Sequence, residues 1–110
     1  MASTLEFVQY VVDQLSAAGS VTYKKMFGEY GLYLDGKYFA CVCDNCLFVK
    51  ITRAGKSMMP AHQTGLPYEG AKPMFLIEGL EDAVFLAKLA RATCLELPAP
   101  KPKRRPPKGT

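Results

Sequence analysis

The most reactive side chains in this sequence with suggestive spacing are the thiols of Cys41-Val42-Cys43-Asp44-Asn45-Cys46, where two residues separate Cys43 from Cys46 as in zinc knuckles and dithiol redox pairs. Tetrahedral coordination would need a fourth ligand, from Cys94 or from the single histidine, His62, and the sequence holds no second closely spaced ligand pair. A redox pair of the thioredoxin kind sits where a strand leads into a helix, whereas Cys46 leads into another apolar run, Leu47-Phe48-Val49. Cysteine also packs as a small hydrophobe. The reading adopted is that Cys41, Cys43, Cys46 and Cys94 are reduced and structural. The alternative is a metal- or redox-responsive domain centred on Cys41, Cys43 and Cys46.

Acid–base catalysis has less to draw on. His62 lies in a segment rich in Gly and Pro with no carboxylate or nucleophile paired to it by spacing, and the acids are mostly spread singly along the chain. The sequence is read as noncatalytic, with no cofactor and no metal. At the other end, Lys101, Lys103, Arg104, Arg105 and Lys108 are interleaved with Pro102, Pro106 and Pro107. These cations attract phosphates, and the prolines keep them extended. With no aromatic residue to stack on bases, the expected binding is weak, salt-sensitive and blind to sequence; a purely solubilising end is the other reading.

The elements around these residues follow from periodicity. Leu5, Val8, Val11, Val12 and Leu15 recur at helical spacing, predicting a helix over residues 4–18 capped by Ser3 with Glu6 in a capping box, and with Gly19 in the left-handed position that ends it. From Val21 to Ile51 the period shortens to that of three or four antiparallel strands, with Asp35-Gly36 a strong two-residue turn and Asp44-Asn45 a weaker one. Residues 52–73 read as irregular, with one helical turn over Ser57 to Thr64. Met74 to Glu78 reads as a short strand, and residues 81–95 as a second helix with Glu81 and Asp82 near its positive end. The fold class is α+β: an N-terminal helix, an antiparallel β-meander, an irregular loop, a short strand and a C-terminal helix. Residues 1–97 form one domain, and residues 98–110 a basic, proline-rich tail expected to be disordered.

Composition limits the function further. The chain has 110 residues, 49% hydrophobic and 22% charged, enough apolar mass for one core. Its net charge of +4 resides in the tail, because residues 101–110 carry five cations and no acid while the first hundred sum to −1. A dedicated DNA-binding domain carries its charge on the folded surface, so any nucleic-acid affinity is assigned to the tail. No apolar run reaches the roughly 20 residues of a membrane helix, the N-terminus makes a poor signal peptide, and a cytoplasmic location is expected. Pairing across Asp44-Asn45 places Ala40, Val42, Leu47, Val49 and Ile51 on one face, and Phe39, Cys41, Cys43, Cys46 and Phe48 on the other. Both faces are apolar, so the second needs a cover from the long loop, the second helix or another subunit; a homodimer through the sheet or its edge is expected.

The run Met26-Phe27-Gly28-Glu29-Tyr30-Gly31-Leu32-Tyr33-Leu34-Asp35-Gly36, followed by Phe39-Ala40 and Leu47-Phe48-Val49-Lys50, resembles the N-terminal domain of the TfoX/Sxy family of competence regulators. The likeness extends through Gly65-Leu66-Pro67 and Lys72-Pro73-Met74 to the last helix, about residues 4–96. Glu29 stands where that family more often has a second glycine, and full-length regulators continue into a helical C-terminal domain. The resemblance implies an α+β fold and, for full-length members, a cytoplasmic role in switching on DNA-uptake genes with the cyclic-AMP receptor protein. Within the motif, Phe27, Gly28, Tyr30, Gly31, Asp35, Gly36, Phe39 and Ala40 are read as structural, since a phosphate loop would lead into a helix and this segment leads into another strand. The function expected is that of a contact module with an unknown protein partner, such as the transcription machinery, acting as an accessory transcription or competence regulator.

Overall fold

A computed structural model describes residues 3–26, 28–61 and 63–97. Phe27, His62 and the tail cations lie outside the described residues. The first helix, α1 (Leu5–Leu15), buries Val8, Val11 and Leu15 and runs into a short 3-10 turn, Ser16–Ala18. Its cap is Thr4 rather than Ser3: the Thr4 hydroxyl accepts the Phe7 amide at 3.2 Å. Ser3 is engaged elsewhere, its hydroxyl accepting the Asn45 amide at 2.8 Å while its own amide donates to Glu29 at 3.0 Å. Gly19 follows in an extended mirror conformation (φ 147°, ψ −150°) instead of the left-handed helical one.

Four strands succeed one another as the alternation requires: β1 (Val21–Met26), β2 (Glu29–Leu34), β3 (Lys37–Cys43) and β4 (Cys46–Val49). The turns between β2 and β3 and between β3 and β4 hold Asp35, Gly36, Asp44 and Asn45 at positive φ, the geometry that two-residue hairpins need. Two further strands, β5 (Gln63–Gly65) and β6 (Met74–Ile77), complete an antiparallel sheet ordered β1-β2-β3-β4-β6-β5. The short β5 was not expected, because Gln63-Thr64-Gly65 offers no apolar alternation to read.

The helix in the middle segment is α2 (Arg53–Met58), several residues earlier than predicted. Its start is set by Thr52, which accepts the Gly55 amide, and by the Glu96 carboxylate, which accepts the Arg53 and Ala54 amides at 3.1 and 2.6 Å. Gly55 is buried, and a Cβ there would come within 2.6 Å of the Phe75 ring, so the close approach of α2 to that ring requires glycine. The last helix, α3 (Ala83–Glu96), is capped by Asp82, and Lys37 closes its other end by donating to the Cys94 carbonyl at 2.8 Å. None of the described helices is long and apolar enough to cross a membrane.

All three helices pack on one face of the sheet. The core there joins Val8, Val11 and Leu15 to Leu32, Phe39, Val42, Leu47 and Phe75 and to Leu86, Leu89 and Ala90. Phe39 belongs to this face and not, as strict alternation predicts, to the cysteine face. The register between β2 and β3 shifts between Leu32 and Tyr33, so that Tyr33 pairs Tyr38, Leu32 pairs Ala40, and Phe39 is the extra residue of a bulge.

Candidate functional site

The opposite sheet face carries the residues with chemistry, in two halves of different character. On one half Cys41, Cys43, Phe48 and Met74 are buried, with Tyr38, Cys46 and Leu76 packed against them. Cys43 faces Cys46 across the hairpin, and the Cys41 sulfur lies 3.9 Å from that of Met74. The cover is the chain's own: Tyr68, from the loop between β5 and β6, joins Met26, Glu29 and Tyr38 around the Cys41 and Cys43 thiols, leaving only about 30 Å³ of space.

All four cysteines are free thiols. Burial pushes the Cys41 thiol up, and burial together with the neighbouring Cys41 carries Cys43 up to about 12. The thiolate, not the thiol, binds metals and attacks disulfides, so both sulfurs are held in their unreactive form at neutral pH. Cys94, a candidate fourth ligand, belongs to the helical core on the other side of the sheet. Among the described residues, no group of three His, Cys, Asp or Glu side chains is arranged to hold a metal ion.

The other half is open and basic. The Lys24 ammonium lies 5.4 Å from the centre of the Tyr33 ring, the Tyr33 and Tyr38 rings are 5.5 Å apart, and the Lys50 ammonium sits 4.7 Å over Tyr38. From Tyr38 and Lys50 the surface dips into a cleft of about 520 Å³ that Tyr68, Lys72 and Met74 also line. Gly31 sets this arrangement: a Cβ there would approach the Met26 methyl to 2.8 Å and the Tyr38 ring to 3.1 Å, so only glycine lets that ring lie across β2. Burial, and then the neighbouring Cys41, push the Tyr38 phenol up, which keeps it a neutral hydrogen-bond donor.

Gly28 takes φ +81° in the turn from β1 to β2, Tyr30 and Ala40 enter the helical-side core, and Asp35 accepts the Ser20 amide at 3.2 Å. Glu29 carries a role that residue types alone did not reveal. Its carboxylate accepts the Ser3 and Asp44 amides at 3.0 and 2.9 Å, while Asn45 accepts the Thr4 amide at 3.0 Å, latching the start of α1 to the β3–β4 turn. Burial works against the charge of Glu29, but these amides prevail and lower its pKa. The one sequence signal for this latch was the acid standing where a glycine is more usual.

The cleft was also missed, since its residues come from β3, the segment just after β4, the loop before β6 and the first residue of β6. It was the assignment of all basicity to the tail that concealed it.

Residues 13–95 match the family profile of the TfoX N-terminal domain. A curated protein of Spirochaeta aurantia, described as an uncharacterised 12.7 kDa protein in the trpE 5' region, is 38% identical over 105 residues, which cover 94% of this chain and 91% of that one. The profile match spans the motif, the sheet and α3 short of its last residue, and leaves out residues 1–12, which hold most of α1, and residues 96–110. The chain therefore belongs to the TfoX N-terminal domain family.

Proposed function

We propose that the protein is a noncatalytic contact module of gene regulation, acting in the cytoplasm by engaging a protein of the transcription machinery. Family membership supports the setting. Among the described residues, the carboxylates of Glu29, Glu96, Asp82 and Asp35 hold backbone amides, a structural use of acids.

The observation that carries the reading is a groove of about 400 Å³ between α1 and β6 with both apolar and acidic lining. Phe7, Tyr10, Ile77 and Leu80 line it, Glu78 and Glu81 border it, and Tyr10 is 43% exposed. A groove that combines apolar side chains with two glutamates fits an amphipathic segment carrying basic residues. The test compares transcript profiles in cells making the wild type or Tyr10→Ala at equal protein abundance. A set of transcripts that responds to the wild type and not to Tyr10→Ala is expected; identical responses would refute the groove as the contact.

A further inference from the structure

The open half of the cysteine face lies apart from the α1 groove and has its own chemistry. Lys24, Lys50 and Lys72 supply positive charge, and none of the residues lining the cleft is acidic. Tyr33 and Tyr38 add aromatic surface, and Tyr68, at the cleft, is 47% exposed. Lys24, Tyr33 and Tyr38 lie on consecutive strands and Lys50 directly follows the fourth, so the strip runs across the strands. At about 4.8 Å per strand it extends roughly 14 Å before the cleft adds Tyr68 and Lys72.

The lysines lie over tyrosine faces at distances where the attraction is weak in water. A phosphate can draw an ammonium off its ring and so uncover the ring for stacking. A second copy of this face would bring lysines against lysines. An acidic peptide would use the charges and leave the rings idle, and a duplex keeps its bases away from them.

We propose that this face binds single-stranded nucleic acid, with phosphates on Lys24, Lys50 and Lys72 and a base in the cleft lined by Tyr38 and Tyr68. Alternating cations and aromatic platforms are how sequence-tolerant single-strand binders work. The proposal goes beyond the protein-contact reading and does not rest on it.

The test uses the full chain with its five tail cations changed to glutamine, titrated by fluorescence anisotropy with labelled twelve-nucleotide oligodeoxythymidylate and oligouridylate at several salt concentrations. Binding is expected to persist, to weaken about tenfold in Tyr68→Ala, and to be restored in Tyr68→Phe, because a phenyl ring still stacks. The combined Lys50→Gln and Lys72→Gln change is expected to flatten the slope of log affinity against log salt by roughly 1.4, two phosphate contacts on a single strand. Tyr68→Phe and the lysine variant are expected to keep the parent's melting temperature; Tyr68→Ala, which uncovers the thiol pocket, is titrated well below its own melting temperature. The proposal is overturned if neutralising the tail alone abolishes binding, if the tyrosine and lysine variants bind like their parent, or if a duplex or oligoglutamate competes as well as the single strands.

Discussion

The two halves of the cysteine face share one pleat and meet on β3, yet one is sealed and the other is a surface. On the sealed half Cys41, Cys43, Phe48 and Met74 are buried, Tyr68 lies beside the Cys41 and Cys43 thiols, and burial keeps those thiols protonated. On the open half the long side chains of Lys24 and Lys50 lie on tyrosine rings and keep their charges in water. The boundary is Tyr38, which packs against the thiols and also carries Lys50. The same alternation of side chains yields core or binding surface according to what the next loop covers.

Thiol chemistry should separate the halves by the largest factor. With iodoacetamide at neutral pH, half-buried Cys46 is expected to react first, and Cys41 and Cys43 only through unfolding, orders of magnitude more slowly than in denaturant. Modification of all three at one rate would break the comparison. The same burial sets an alkaline limit. Unfolded thiols ionise near 9.0, whereas Cys43 holds its proton to about 12, so the unfolded state gives up protons first and stability is expected to fall as pH rises above 9. Denaturant titrations between pH 8 and 11, with Cys43→Ala flattening the dependence, would check this.

Packing gives the next largest contrast. Phe48→Ala on the sealed half is expected to cost about 3 kcal/mol, and Lys24→Ala on the open half less than about 0.5 kcal/mol, in urea unfolding. Equal losses would mean that the open half is also core.

Glu29 sharpens the comparison at the sealed end, where it lines the thiol pocket and latches α1. Glu29→Gln is expected to cost about 1 kcal/mol at neutral pH. The amides lower the folded pKa below its ordinary 4.5, so the stabilisation is complete above 4.5 and is lost as pH falls through the folded value. Wild type and Glu29→Gln should therefore converge in acid; a constant gap from pH 7 to pH 3 would remove the carboxylate from the account.

An effect of similar size and opposite sign belongs to the helical side. The Thr93 hydroxyl is fully buried and has no hydrogen-bond partner among the described residues. Thr93→Val is expected to raise stability by about 1 kcal/mol, read as a higher melting temperature, and to leave oligonucleotide affinity unchanged.

What was legible in the sequence was local. Asp35-Gly36 and Asp44-Asn45 declared their turns because positive φ is a property of the residues themselves, and the opposition of Cys43 and Cys46 follows from the second of them. Phe39 was misplaced because a bulge changes parity without changing composition. The start of α2 was invisible because part of its cap, Glu96, is 43 residues away from Arg53. The cover over the thiols and the cleft beside it depend on where an irregular loop comes to rest, which no periodicity encodes.

The most direct measurement is the amide spectrum of the isotopically labelled full chain, titrated with a twelve-nucleotide single strand. The account expects shifts at Lys24, Tyr33, Tyr38, Lys50 and residues 68–72, with the amides of α1 and α3 unmoved. Shifts confined to residues 101–108 would contradict it.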